Sequence, residues 1–424
     1  MDFWIKLDFG FLENNNRPKH QIPNTKSQVC IFLIFCIFLN FLTINVFSQT
    51  PNKSIDKQFQ NIFKKYDMVS LSVVAVTKDN TVYKNNFGYQ NLETKIKTND
   101  ETYFRVASLS KLYTASLLYK LKSEGKIDFD SNIEKYLDLK IRTPFFPEKE
   151  ITVLELLMHT ASINETNGDY VEFIKKTFSK DYTLKDFLCR DGRIYSDNIF
   201  LKYYPPGKKH NYSNLGYIIL GTIAEKITGI RFDRLMKKYV LDFDGSGDFL
   251  PENIPADKIG TGYSLFNHFH FPEVDNVQKK DSLEGLKTDY KIGENALPLS
   301  PQSGLRINLD GLENSLKLIL RGERLFLHKD IEFLKRNFIK TSVKGLYQLS
   351  GMVMTSNIFP NLELMGHSGS SFGITSDLYF SSEKGIGFAI ITSGANLSKD
   401  DPQFYRHQRE LYDVIYRTLG SLSR

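Results

Sequence analysis

The chain has 424 residues, 41% of them apolar and 25% charged, a globular composition long enough to bury a large core. Its 55 basic and 49 acidic residues leave a net charge of +6. The two signs are interleaved, with no basic run and no nucleic-acid motif, so nothing points to a nucleic-acid partner and the surplus reads as a solvated surface.

The first distinct segment is apolar and runs almost unbroken over residues 29–47, after Arg17, Lys19 and Lys26. Val46-Phe47-Ser48 supplies small or moderate residues where a signal peptidase cuts. Residues 1–49 are therefore expected to be a secretory signal peptide. This 19-residue stretch, interrupted by Asn40, Thr43 and Asn45, also reaches the length that spans a bilayer, so an uncleaved N-terminal membrane anchor is the alternative. Either way the rest of the chain is exported, periplasmic or secreted. Cys30 and Cys36 fall inside this segment, which leaves Cys189 alone and excludes a disulfide framework. Cys189 reads as a buried structural thiol, since no general base is suggested beside it.

Next comes a helix over 54–67, with Ile55, Phe59, Ile62, Phe63 and Tyr66 at helical spacing and Ser54 as its cap. Valine-rich alternation predicts a strand over 70–77, and a turn at Lys78-Asp79-Asn80 leads into a second strand over 81–89. The strongest helix spans 108–125. Helical periodicity broken by turns continues to about residue 340, with helices near 153–159, 215–228 and 312–320. Short β-rich segments follow at 346–355, 362–365, 374–380 and 387–393. A closing helix spans 401–419, with Asp401 as cap and Pro402 in the first turn. Strands and helices at both ends around a helix-rich middle predict an α+β fold. An α/β lobe comes from about 50–107 and 341–424, and a helical lobe from about 108–340, within one domain over 50–424.

Three clusters carry chemistry. Ser108-Leu109-Ser110-Lys111 opens the strongest helix. Residues i and i+3 share a helix face, so Lys111 can take the proton that a serine hydroxyl must lose to become a nucleophile, provided burial lowers its pKa. Ser-x-x-Lys also occurs at Ser54, Ser123 and Ser381, so the pattern alone is weak and the companions matter. Tyr212-Ser213-Asn214, after a Pro-Pro-Gly turn, offers a phenol to relay a proton and an amide to grip a substrate carbonyl or hold Lys111. Gly366-His367-Ser368-Gly369-Ser370 leads into a strand, and among the eight histidines His367 alone has a glycine two residues on. That segment would bring a cation or hydrogen-bond donor beside the nucleophile, and its backbone N–H groups could form half of an oxyanion hole.

Tyr212 follows Ser108 by 104 residues, and His367 follows Tyr212 by 155. In this order the three motifs, with the flanking Phe104-Arg105-Val106-Ala107, resemble the serine β-lactamase and penicillin-binding protein superfamily. The likeness is to the branch of class C β-lactamases, D-alanyl-D-alanine carboxypeptidases and related esterases, and it covers about 54–419. The resemblance implies a β-lactamase-like fold: an antiparallel sheet flanked by N- and C-terminal helices, with an inserted helical lobe. It implies that Ser108 forms an acyl-enzyme and that Lys111 and Tyr212 share the general base and acid roles. Asn214, His367, Gly369 and Ser370 would meet the substrate, with the N–H groups of Ser108 and Ser370 as oxyanion hole. No metal and no organic cofactor is implied. The substrate would be a β-lactam, a D-alanyl peptide or a small ester, small molecule or peptide in either case.

The family's His-Thr-Ser-Gly turn reads His159-Thr160-Ala161-Ser162, and His159 is expected to be structural. His268-Phe269-His270 lacks a third ligand at metal-site spacing. The rival function is an exported, non-hydrolytic penicillin- or peptide-binding or sensor protein on the same fold.

Overall fold

The computed structural model describes residues 53–166, 168–179, 182–273, 290–400 and 402–420. The signal or anchor segment lies outside them. Its centre is one nine-stranded antiparallel sheet, assembled from both ends of the described chain. The N-terminal end gives helix α1 (Lys53–Lys65) and strands β1 (Ser70–Thr77), β2 (Thr81–Asn91) and β3 (Ile96–Lys97). The C-terminal end gives β8 (Phe338–Lys340), β9 (Leu346–Leu349), β10 (Val353–Phe359), β11 (Leu362–Ser371), β12 (Ile374–Ser381) and β13 (Ile386–Ser393). The order is β3-β2-β1-β13-β12-β11-β10-β9-β8. β1 is thus hydrogen-bonded to β13 across the length of the chain, Ser70 facing Ser393 and Thr77 facing Ile386. Four shorter strands stand apart in two pairs: β4 (Phe104–Arg105) with β7 (Arg306–Ile307), and β5 (Tyr263–Phe266) with β6 (Phe269–Pro272).

The two-residue period of β1 explains its position at the centre. Val73 and Ala75 join the core beneath α1 and the C-terminal helix, while Val74 and Val76 face the larger core on the opposite side. Both faces are covered, so the strand reads as continuous apolar sequence. The larger core holds α2 (Ser110–Ser123), α3 (Val153–Leu157), α4 (Asn214–Thr228) and α5 (Leu309–Arg321). α2 is buried around most of its circumference: Leu112, Leu117, Leu118 and Leu121 are all 0% exposed, and Ser110, Lys111, Thr114 and Ser116 are buried with them. Burying each of these leucine side chains contributes about 1.5–3 kcal/mol.

Element boundaries moved where local hydrogen bonds outweighed periodicity. Ser108 is in a 3₁₀ turn, Ala107–Leu109, and the α-helix begins only at Ser110. α1 starts at Lys53, which places Ser54 inside its first turn rather than at its cap. The 346–355 segment is two strands, with the Ser350-Gly351 turn between β9 and β10. The closing helix, α6 (Arg406–Gly420), begins after the expected start. Asp401 lies outside the described residues, and Tyr405 instead bridges back to Lys399.

Candidate active site

The turn that carries Ser108 is clamped from three sides. Val106 N–H donates to Leu305 O at 2.9 Å, and Ser376 Oγ on β12 donates to Val106 O at 2.7 Å. Ser110 Oγ donates to Ala107 O at 2.7 Å and accepts from Leu305 N at 3.0 Å. Ala107 takes a left-handed φ of 47°, a conformation that costs an L-residue roughly 1–2 kcal/mol, at the residue immediately before Ser108. Gly369 on β11 presses on the same turn. A Cβ there would lie 2.3 Å from Val106 O and 3.0 Å from Leu109 N, so only glycine lets the strand approach the Ser108 turn this closely.

Lys111, one helical turn on, is completely buried. Its Nζ lies 3.3 Å from Ser108 Oγ, 2.8 Å from Asn214 Oδ1 and 2.9 Å from Gln302 O. Burial lowers its pKa from the ordinary lysine value to about 7, and the Glu165 carboxylate pulls it partway back. A neutral amine has two N–H bonds and one lone pair. With both N–H groups donated to the Asn214 and Gln302 oxygens, the lone pair is left for Ser108 Oγ–H.

Desolvation raises the Tyr212 phenol pKa, with Glu165 adding to the rise and the neighbouring Ser108 hydroxyl partly offsetting it. Tyr212 is therefore a phenol at neutral pH. The residue as a whole is 40% exposed, and Lys111 Nζ lies 4.8 Å from the ring centroid. Asn214 starts α4, which Ser213 caps by accepting from Gly216 N at 2.9 Å.

His367 is buried on β11. Burial, reinforced by Lys111, holds its pKa down at about 4. Its Nδ1–H donates to Ser368 O at 2.6 Å. The imidazole is therefore neutral near neutral pH, a hydrogen-bonding group rather than a cation, the second of the two possibilities the sequence left open. Ser370 is exposed, its hydroxyl 3.2 Å from Tyr405 Oη.

A family model for Beta-lactamase matches residues 55–412. The chain belongs to the beta-lactamase family. Two curated relatives of this family member are a penicillin-binding protein of Bacillus subtilis (strain 168), 24% identical over 212 residues (50% of this chain, 42% of that one), and a beta-lactamase of Providencia stuartii, 24% identical over 217 residues (49% of each). The chain thus spans under half the length of either. Among solved structures, the octameric penicillin-binding protein homologue of Pyrococcus abyssi superposes with a TM-score of 0.66 at 23% identity, over 88% of this chain and 78% of that one. A D-amino acid amidase of Ochrobactrum anthropi SV3 does so with a TM-score of 0.63 at 16% identity, over 88% and 100%. These likenesses establish the β-lactamase-like fold.

Within this beta-lactamase-family site, two residues, Glu165 and Gln302, escaped the sequence reading. His159, expected to be structural, packs against the site: its ring lies 4.4 Å from that of Tyr212 and its Nδ1 accepts from Ser213 N at 3.0 Å. Its turn continues to Ser162, which takes the φ of 61° that the family's glycine would favour and donates its hydroxyl to Tyr204 O at 2.6 Å. Glu165 accepts from Ser213 Oγ and Leu215 N, each at 2.7 Å, and from Asn214 Nδ2 at 3.3 Å. Gln302 acts through its main-chain carbonyl, which leaves no trace in residue type. Elsewhere, His268 is exposed with its Nδ1 3.6 Å from Asp67 Oδ2, and His270 Nε2 bonds Asp67 O at 2.7 Å; among the described residues no group of three or more metal-binding side chains gathers. Cys189 is buried, with its thiol pKa raised by burial.

Proposed function

We propose that this protein is an exported serine hydrolase that acts through an acyl-enzyme on Ser108. The substrate is an amide or ester of the β-lactam, D-alanyl peptide or small-ester class. One observation carries the reading: a buried lysine amine, its pKa lowered to about 7, sits 3.3 Å from the Ser108 hydroxyl with two acceptors taking its N–H groups. Proton transfer from Oγ to Nζ accompanies formation of the Oγ–carbonyl carbon bond, and the carbonyl electrons move to oxygen. The backbone N–H groups of Ser108 and Ser370 would receive that oxyanion. The Tyr212 phenol gives its proton to the departing nitrogen or oxygen and is reprotonated from Lys111. Water then hydrolyses the ester by the reverse sequence. Export rests on the reading of residues 1–49; among the described residues no helix is long and apolar enough to cross a membrane.

Intact-mass spectrometry of the purified chain, with and without a fluorophosphonate, a β-lactam and a chromogenic ester, tests this directly. A single adduct on the wild type and none on Ser108→Ala is the expected result. An unlabelled wild type would favour the non-hydrolytic binding protein, and a persistent adduct with no ester turnover would favour a sensor.

A further inference from the structure

An asparagine amide can present either its oxygen or its NH₂ to a neighbour, and the two orientations have nearly the same shape. At Asn214 the choice decides what Lys111 can do. With Oδ1 toward the amine, as here at 2.8 Å, Lys111 spends an N–H bond and keeps its lone pair. With Nδ2 toward it, the lone pair of a neutral Lys111 would be taken by the amide N–H and denied to Ser108.

Glu165 breaks the tie. A carboxylate only accepts hydrogen bonds. Its Oε1 is held by Ser213 Oγ and Leu215 N at 2.7 Å each, which fixes the carboxylate against the first turn of α4, and its Oε2 faces Asn214 Nδ2 at 3.3 Å. Only the NH₂ end of Asn214 can satisfy it, so the oxygen end must face Lys111. We propose that Glu165 is a positioning residue of the reaction, one that locks the Asn214 amide so that the Lys111 lone pair remains directed at Ser108. This rests on the serine-hydrolase reading above and adds to it a residue that none of the three motifs contains.

The same carboxylate acts on Lys111 through space. The groups around the amine are the imidazoles of His159 and His367, both held neutral by burial, the phenols of Tyr212 and Tyr217, and Glu165. Glu165 is the group that draws the amine's proton affinity upward. Removing its charge therefore moves the Lys111 midpoint to lower pH, while rescue through Asn214 separates positioning of the amide from a purely structural cap.

The test is Glu165→Gln in the full chain. Glutamine is the same size and keeps an acceptor for Ser213 and Leu215, but it offers a donor to Asn214 and so favours the flipped amide. The expected result is a fluorophosphonate labelling rate lower by about tenfold or more on its alkaline plateau, the worth of one misdirected hydrogen bond. The melting temperature should change little, and the Lys111 midpoint, followed by NMR of the labelled amine, should fall below that of the wild type. Adding Asn214→Asp puts acceptors on both sides again and should restore most of the plateau. Wild-type labelling in Glu165→Gln with an unmoved Lys111 midpoint would overturn the proposal. So would a rate loss matched by a lower melting temperature with the midpoint unmoved. If the wild-type chain takes no label at all, the hydrolase reading is what fails, and the two Lys111 midpoints still decide whether Glu165 governs the amine.

Discussion

The Lys111 amine donates to the main-chain carbonyl of Gln302, 191 residues later, at 2.9 Å. That contact joins the start of α2 to the Pro301–Leu305 segment. Thr114 Oγ1, one turn further along α2, reinforces it by donating to Pro301 O at 2.7 Å. On the other side Gly221 of α4 admits Pro301, whose Cγ would lie 2.5 Å from a Cβ at that position. One of the amine's two donated bonds is thereby anchored on backbone, and the Asn214 amide anchors the other.

Acylation should depend on a neutral Lys111, so the labelling rate should rise with pH through a midpoint near the lowered value of about 7. The same shift has a stability consequence. An unfolded lysine keeps its proton to about pH 10.4. Between about 7 and that value the unfolded chain binds the extra proton, and this group makes folding more favourable as pH rises. Below 7 both states are protonated and the slope vanishes. Stopped labelling at graded pH checks the first statement and urea unfolding at pH 7 and 9 the second. A rate still climbing toward pH 10 would place the base elsewhere.

Tyr212→Phe removes the hydroxyl while retaining the ring that lies against His159 at 4.4 Å and under the Lys111 amine. The labelling rate should fall by about 10²–10⁴, the usual loss for a positioned proton-transfer group, with a near-wild-type melting temperature. A drop of less than threefold on both an amide and an ester would remove Tyr212 from the proton path.

Gly369→Ala forces a methyl group against Val106 O and Leu109 N. Neither backbone atom can yield without moving the nucleophile turn. Thermal unfolding should show a loss of roughly 1–3 kcal/mol, the cost of overpacking a tight site, and labelling at Ser108 should slow in the fraction that remains folded. An alanine variant as stable and as reactive as wild type would mean that β11 does not set the position of the turn.

His367 is held neutral at about 4, so it cannot attract an anionic substrate by charge near neutral pH. His367→Asn retains a donor for Ser368 O and should alter kcat/KM for an anionic ester and its neutral analogue by the same factor. A selective loss on the anionic ester would show that the imidazole is charged after all. His367→Lys should shift the acid limb of the rate profile further down in pH, because a second amine beside Lys111 penalises its protonated form.

Much of this was readable in the residues alone. The β-branched runs at 70–77 and 387–393 and the long helix that follows Ser108 identify themselves, because β-branched side chains suit a pleated sheet covered on both faces and a sustained helical run suits a buried helix. The Ser108–Lys111 spacing likewise dictates proximity, since one helical turn separates them, and the order of the three motifs carried the family. What the sequence could not determine was everything transmitted between distant segments. The neutrality of Lys111 and His367 comes from desolvation, a property of the enclosing core. The role of Gln302 comes from a backbone oxygen that every residue possesses. The hold of Glu165 on Asn214 depends on a loop folding back against α4, and His159 joins the site because its turn packs beneath Tyr212. Local chemistry chose the reacting groups, but only packing across the chain set their protonation and their aim.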